Sequence, residues 1–169
     1  MSWDDLLKEG EETVKIVCQG LQKRGFVTGE SLKTIHGTDE DIPIFNSNRE
    51  KLFWISVKTV YGQVENPQQI NFPGWMCGEV DSKQWCNPPS IIIWFCRSTG
   101  VAWGAVTPKR PSLRWLVFPN KYGKIIDQRK TKLLNRNVYI FPSYCVPIDE
   151  ILTKEEVIRR IELLVNKNS

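Results

Sequence analysis

Lys58 stands in the stretch LFWISVKTV, among residues that are otherwise apolar, β-branched or small. Side chains two apart in a strand share a face. Trp54, Ser56, Lys58 and Val60 therefore form one side, and Phe53, Ile55, Val57 and Thr59 the other. An ammonium group in such a place has two explanations. It decorates an edge strand, where charge discourages pairing with other chains, or it serves a carboxylate. Two carboxylates are placed to meet it. Asp41 opens the preceding extended segment, fifteen residues before Ser56, a spacing that a short hairpin closes. Glu11 falls on the apolar stripe of an N-terminal helix, at three- and four-residue steps from Leu7 and Val14. A carboxylate buried without a partner is costly. The stripe either presents Glu11 to a cation or turns it to the boundary, with Glu12 exchanging roles.

The second chemical signal is charge. Between Pro108 and Arg136 nine lysines and arginines stand against Asp127 alone, so that stretch is +8 and the rest sums to −4 in a chain of net charge +4. Charge separated in this way suits a polyanion. Lys109, Arg110, Lys121, Lys124, Arg129, Lys130 and Lys132 are the candidate phosphate contacts; the competing reading is a solvated basic surface. Trp75 and Trp85 invite base stacking, against the plainer role of covering a sheet.

Other chemistries are excluded or disfavoured. His36 is the only histidine, which removes His-rich metal sites, and no G-x-S-x-G, Walker-type or G-x-G-x-x-G motif is present. Cys18, Cys77, Cys86, Cys96 and Cys145 contain no C-x-x-C pair, so zinc is disfavoured and buried free thiols are expected. An odd cysteine count fits a cytoplasmic chain better than a disulfide framework. No apolar run approaches the roughly 20 residues that cross a bilayer. The N-terminus MSWDDLLKEGEETVK lacks the basic region and apolar run of a signal peptide, so no membrane association is expected.

The elements that must position these groups follow from patterning. Trp3 to Arg24 reads as a helix, capped by Ser2 with Asp4 and Asp5 in its first turn and stopped by Gly25. Gly10 and Gly20 weaken its interior. FVTG, SLKTIHG, DIPIF and KLFWISVKTVYG read as extended segments, the last two joined by a turn at NSNRE. Pro43 requires a strand start, edge or bulge. Gln63 to Ser90 reads as a long irregular loop. SIIIWFC pairs with GVAWGAVTP, LRWLVFP and NVYIFPSYCVPI give further strands, and Asp149 to Lys167 gives a closing helix. A length of 169 residues suits one domain, of class α+β.

This order of pieces resembles the PD-(D/E)XK nuclease superfamily, the fold of restriction enzymes, archaeal Holliday-junction resolvases and some homing endonucleases. The matching pieces are EGEETVKIVCQGLQKRGF, DEDIPIF and LFWISVKT, and SVKT looks like the QVKT or EVKT of many members. SIIIWFC, GVAWGAVTP and VYIFP look like the strands that often follow the core. The resemblance implies a restriction-endonuclease-like fold: a mixed, mostly antiparallel central sheet flanked by N- and C-terminal helices. Residues 1–106 would be the nuclease-like core, 107–148 a basic strand-loop region and 149–169 the C-terminal helix. It further implies hydrolysis of DNA phosphodiesters, double-stranded or branched, with Mg²⁺ or Mn²⁺ and no organic cofactor, and a homodimer if both strands are cut. Asp41 would hold the metal, with Glu11 or Glu12 contributing directly or through water, and Lys58 would orient or help deprotonate the attacking water. Ser56 stands where the family carries a second acid. Either that acid has moved, to Asp39, Glu40 or Glu65, or the metal is held weakly, or the chain binds nucleic acid without cutting. A protein-interaction domain with no nucleic-acid role is the remaining alternative.

Overall fold

Helix α1 (Trp3–Lys23) begins at Ser2, whose hydroxyl accepts the Asp5 N–H while the Asp5 carboxylate accepts the Ser2 N–H, a reciprocal capping box. It ends at Gly25, whose φ of 91° lets its N–H reach the Gln22 carbonyl and the Phe26 N–H reach that of Leu21. Gly10 and Gly20 do not interrupt it. Val14, Val17, Cys18 and Leu21 pack on the sheet, and packing outweighs propensity in a helix of this length. The structure, a computed structural model, describes residues 2–32, 39–70, 74–118, 124–127, 137–140 and 142–168, the segments 124–127 and 137–140 by backbone alone.

After α1 come β1 (Val27–Thr28), β2 (Ile42–Phe45) and β3 (Lys51–Val60), paired antiparallel in that order. The Asn46 side chain accepts the N–H groups of Asn48 and Glu50 and so shapes the turn into β3. Pro43 lies past the end of β1, where its carbonyl accepts from Gly29 at 3.0 Å. Its missing donor points the same way, so the ladder to β3 loses nothing.

The segment expected to be irregular, 63–90, contains β4 (Trp75–Glu79) and a 3₁₀ turn (Lys83–Cys86). Then follow β5 (Ile91–Cys96), β6 (Ala102–Val106), a single helical turn α2 (Pro111–Arg114), β7 (Leu116–Phe118), β8 (Lys124–Asp127), β9 (Asn137–Ile140), β10 (Ser143–Val146), β11 (Leu152–Thr153) and α3 (Lys154–Asn168). The closing helix starts five residues later than Asp149. Residues Ile148–Glu150 form a 3₁₀ turn and β11 pairs with β6, and a capping box between Thr153 and Glu156 sets the start.

The main sheet runs β1-β2-β3-β5-β6-β11. All its pairings are antiparallel except β3 with β5, which run parallel from Ile55 beside Ile91 to Val60 beside Cys96. One face is aliphatic: Leu21 of α1 and Val157 and Ile161 of α3 close over Ile42, Ile44, Ile55, Ile91 and Ile93. The opposite face is aromatic. There Trp94 and Trp103 meet a second sheet, β4-β10-β7, through Trp115, Tyr144 and Val146. Trp75 and Trp85 join this layer, their indole N–H groups spent on the Pro67 and Glu79 carbonyls. The class is α+β, mixed and mostly antiparallel, with helices at both termini of the chain. Among the described residues no helix is long and apolar enough to cross a membrane.

Candidate active site

The pairing of Ile42 with Ile55 carries Asp41, the residue before β2, to Ser56. The Asp41 carboxylate accepts the Val57 N–H at 2.7 Å, so a side chain continues the ladder where β2 has not yet begun. Ser31 fixes the same residue from behind by donating to its carbonyl at 2.7 Å. Burial raises the Asp41 pKa above the ordinary carboxylate value. The Val57 N–H, the Lys58 charge and a hydrogen bond with Ser56 oppose it, and Asp39 reinforces it. Burial dominates.

Lys58 is half-buried on the aromatic face. β3 lies between β2 and β5, but β2 pairs only with Lys51–Ile55, so among the described residues Lys58 has a strand neighbour on the β5 side alone. Among the described residues its ammonium enters no salt bridge. Its charge reaches Asp41 on one side and Cys77 on the other, where burial nonetheless pushes the thiol up to about 12. Ser56 beside it is buried.

Asp41 borders an open cavity of about 910 Å³ between α1 and the β1–β2 end of the sheet, into which Glu11, Glu30, Asp39 and Val57 also face. Among the described residues Lys15 is its only cationic lining residue. Glu11 is exposed here, not held on a buried stripe; Thr13 turns inward instead, because the helix is rotated slightly from the expected phase. Glu12, its proposed alternate, is outside the cavity and pairs with Arg97 at 2.9 Å. Of the three candidates for a migrated acid, Glu40 is buried with both oxygens 2.8 Å from the Lys51 ammonium, and Glu65 lies in the exposed segment after β3. Only Asp39 shares the cavity. Lys58 does not line it; it approaches Asp41 from the other face of the strand.

Among the described residues no three His, Cys, Asp or Glu side chains converge as a ready-made metal cluster. The carboxylates facing the cavity are Glu11, Glu30, Asp39 and Asp41, and Cys18 also lines it. Mg²⁺ is ordinarily held by one or two carboxylates while keeping several waters, so Asp41 with Glu11 or Asp39 fits such an ion. All five cysteines are free.

Glu30 escaped the sequence reading. The signal was there in the β1–β2 hairpin: Gly29 pairs with Pro43, which brings the residue after it towards Asp41. Of the basic stretch, Lys109 and Arg110 are exposed after β6, while Arg114 is taken up by Glu150. Lys121, Arg129, Lys130, Lys132 and His36 lie outside the described residues, and Lys124 is described only as backbone at the start of β8. Compared with family models, curated proteins and solved structures, the chain matches none.

Proposed function

We propose that the chain is a divalent-metal-dependent endonuclease of the PD-(D/E)XK type, acting on DNA phosphodiesters at Asp41. What carries the reading is Asp41, which stands immediately before β2 within the influence of Ser56 and Lys58 and itself borders an acid-lined cavity. The strand order, with a three-stranded antiparallel run followed by a parallel neighbour, is compatible with a restriction-endonuclease-like core. Asp41 would hold Mg²⁺ or Mn²⁺ together with Glu11 or Asp39. The metal, when bound, would supply a water of lowered pKa and neutralise charge on the phosphate.

The chain's own residues have separable tasks. The Val57 N–H orients the Asp41 carboxylate, and the Ser56 hydroxyl supports it. Lys58, from the other face of the strand, draws the carboxyl towards its ionised form. Lys109 and Arg110, with the rest of the basic stretch, would bind the backbone in a salt-dependent manner.

The test is cleavage of supercoiled plasmid and of branched DNA in Mg²⁺ and in Mn²⁺. Lys58→Ala and Asp41→Ala should each cut roughly 100-fold slower or worse while melting cooperatively. If both cut as fast as the parent, the site is wrongly assigned. A second reading, a nucleic-acid-binding module that does not cut, draws on Ser56 in place of an acid and on the raised Asp41 pKa. Salt-dependent DNA binding without cleavage in either metal would establish it over the first.

A further inference from the structure

A second cavity lies on the aliphatic face, between α1, α3 and the β5–β6 end of the sheet. Its volume is about 330 Å³, enough for a small ligand. Val17, Phe95, Ala102 and Ile158 are among its walls, and among the described residues its charged lining is Lys23, Arg24 and Lys154, with no carboxylate. Glu155 occupies Arg24 from outside, at 2.9 Å. Among the described residues Lys23 and Lys154 enter no salt bridge, which leaves two cations uncommitted at the mouth. Gly20 of α1 also lines the cavity, and a Cβ built on it would meet nothing within 4 Å. A helix interior favours almost any residue over glycine. A side chain at Gly20 would have open space to occupy beside the cavity.

We infer that this slot binds a small amphiphilic anion, an aliphatic chain in the cavity with its carboxylate between Lys23 and Lys154. The apolar walls favour the chain by removing it from water. The uncommitted ammonium groups select a carboxylate over an alcohol or an alkylammonium of equal length. This site is independent of the acid-lined cavity, and neither reading depends on the other.

Calorimetric titration of the full chain with decanoate, decanol and decyltrimethylammonium, each below its micellar concentration, tests the inference. Decanoate should saturate one site and bind roughly tenfold tighter than decanol, a difference equivalent to one uncompensated charge contact. The ammonium should bind weakest. Gly20→Leu should abolish decanoate binding without lowering the melting temperature. Lys23→Gln combined with Lys154→Gln, at solvated positions, should reduce decanoate to the affinity of decanol and leave decanol unchanged. Equal binding of all three amphiphiles, or parent-like binding by both variants, would overturn the site. So would binding to anionic lipid vesicles with none to free decanoate, which would make the surface a membrane contact.

Discussion

The two faces of β3 obey different rules. On the face towards the helices, Phe53 and Ile55 join an aliphatic cluster. The one hydroxyl there, Thr59, donates to Thr13 at 2.9 Å, and Thr13 donates in turn to the Glu9 carbonyl at 2.8 Å. On the face towards the second sheet, Trp54 is satisfied through its indole N–H, which donates to the Asn87 carbonyl at 3.0 Å. Its neighbours Ser56 and Lys58 are not absorbed in the same way. They stand beside an aspartate whose carboxyl is held above its usual pKa. On the helix side of β3 the strand's hydroxyl is matched locally. On the other side a largely buried carboxyl and a half-buried ammonium stand near each other without a salt bridge among the described residues.

That contrast can be broken first on the helix side. Ile55 is wholly buried in the aliphatic cluster, so Ile55→Ala should cost about 2–5 kcal/mol in a urea-unfolding measurement, whatever happens to DNA cleavage. Thr13→Val comes next. It keeps the volume but leaves the Thr59 hydroxyl without its acceptor, at about 1–2 kcal/mol, and a double substitution with Thr59→Val should recover much of the loss. Recovery that fails would mean the pair is not coupled. On the other face Lys58→Met should change stability by less than about 1 kcal/mol, since no salt bridge is lost among the described residues. A large stability loss there would recast the lysine as part of the core.

How much of this was legible depended on sequence distance. Ser2 and Gly25 marked both ends of α1, the turn at Asn46–Glu50 announced the β2–β3 hairpin, and Ser98–Gly100 announced β5–β6, because each signal is local. β4 was hidden because Trp75–Glu79 pairs with β10, far along the chain, and its own residues lack a clean alternation. β11 was hidden because two residues before a helix carry too little pattern. At the site, the spacing from Asp41 to Ser56 was readable, since a hairpin fixes it. The exposure of Glu11 was not: a helix rotated by a fraction of a turn exchanges it for Thr13. Nor could the ion pairs Glu40–Lys51 and Glu12–Arg97 be read, and they withdraw two acids from the candidates. The parallel pairing of β3 with β5 is likewise a matter of topology.

The finest test of the difference between the faces is Asp41→Asn. The Asp41 pKa is raised in the folded chain, mainly by burial, so the unfolded chain releases this proton first as pH rises. Its contribution to stability is therefore complete below the ordinary carboxylate value and is lost as pH climbs through the folded value. Asparagine keeps an oxygen for the Val57 N–H and carries no charge to bury. At neutral pH the Asn variant should unfold at a higher urea concentration than the parent, and the gap should close in acid below the ordinary carboxylate range. Lys58→Met, by removing a charge that opposes the effect of burial, should widen the gap at neutral pH and raise the pH at which it levels off in comparisons made on that background. Millimolar Mg²⁺ or Mn²⁺ should narrow the gap at neutral pH by stabilising the parent alone. A gap that ignores pH, or a parent more stable than the variant at neutrality without metal, would mean that the Asp41 carboxylate is comfortable where it lies and that the two faces of β3 do not differ as argued.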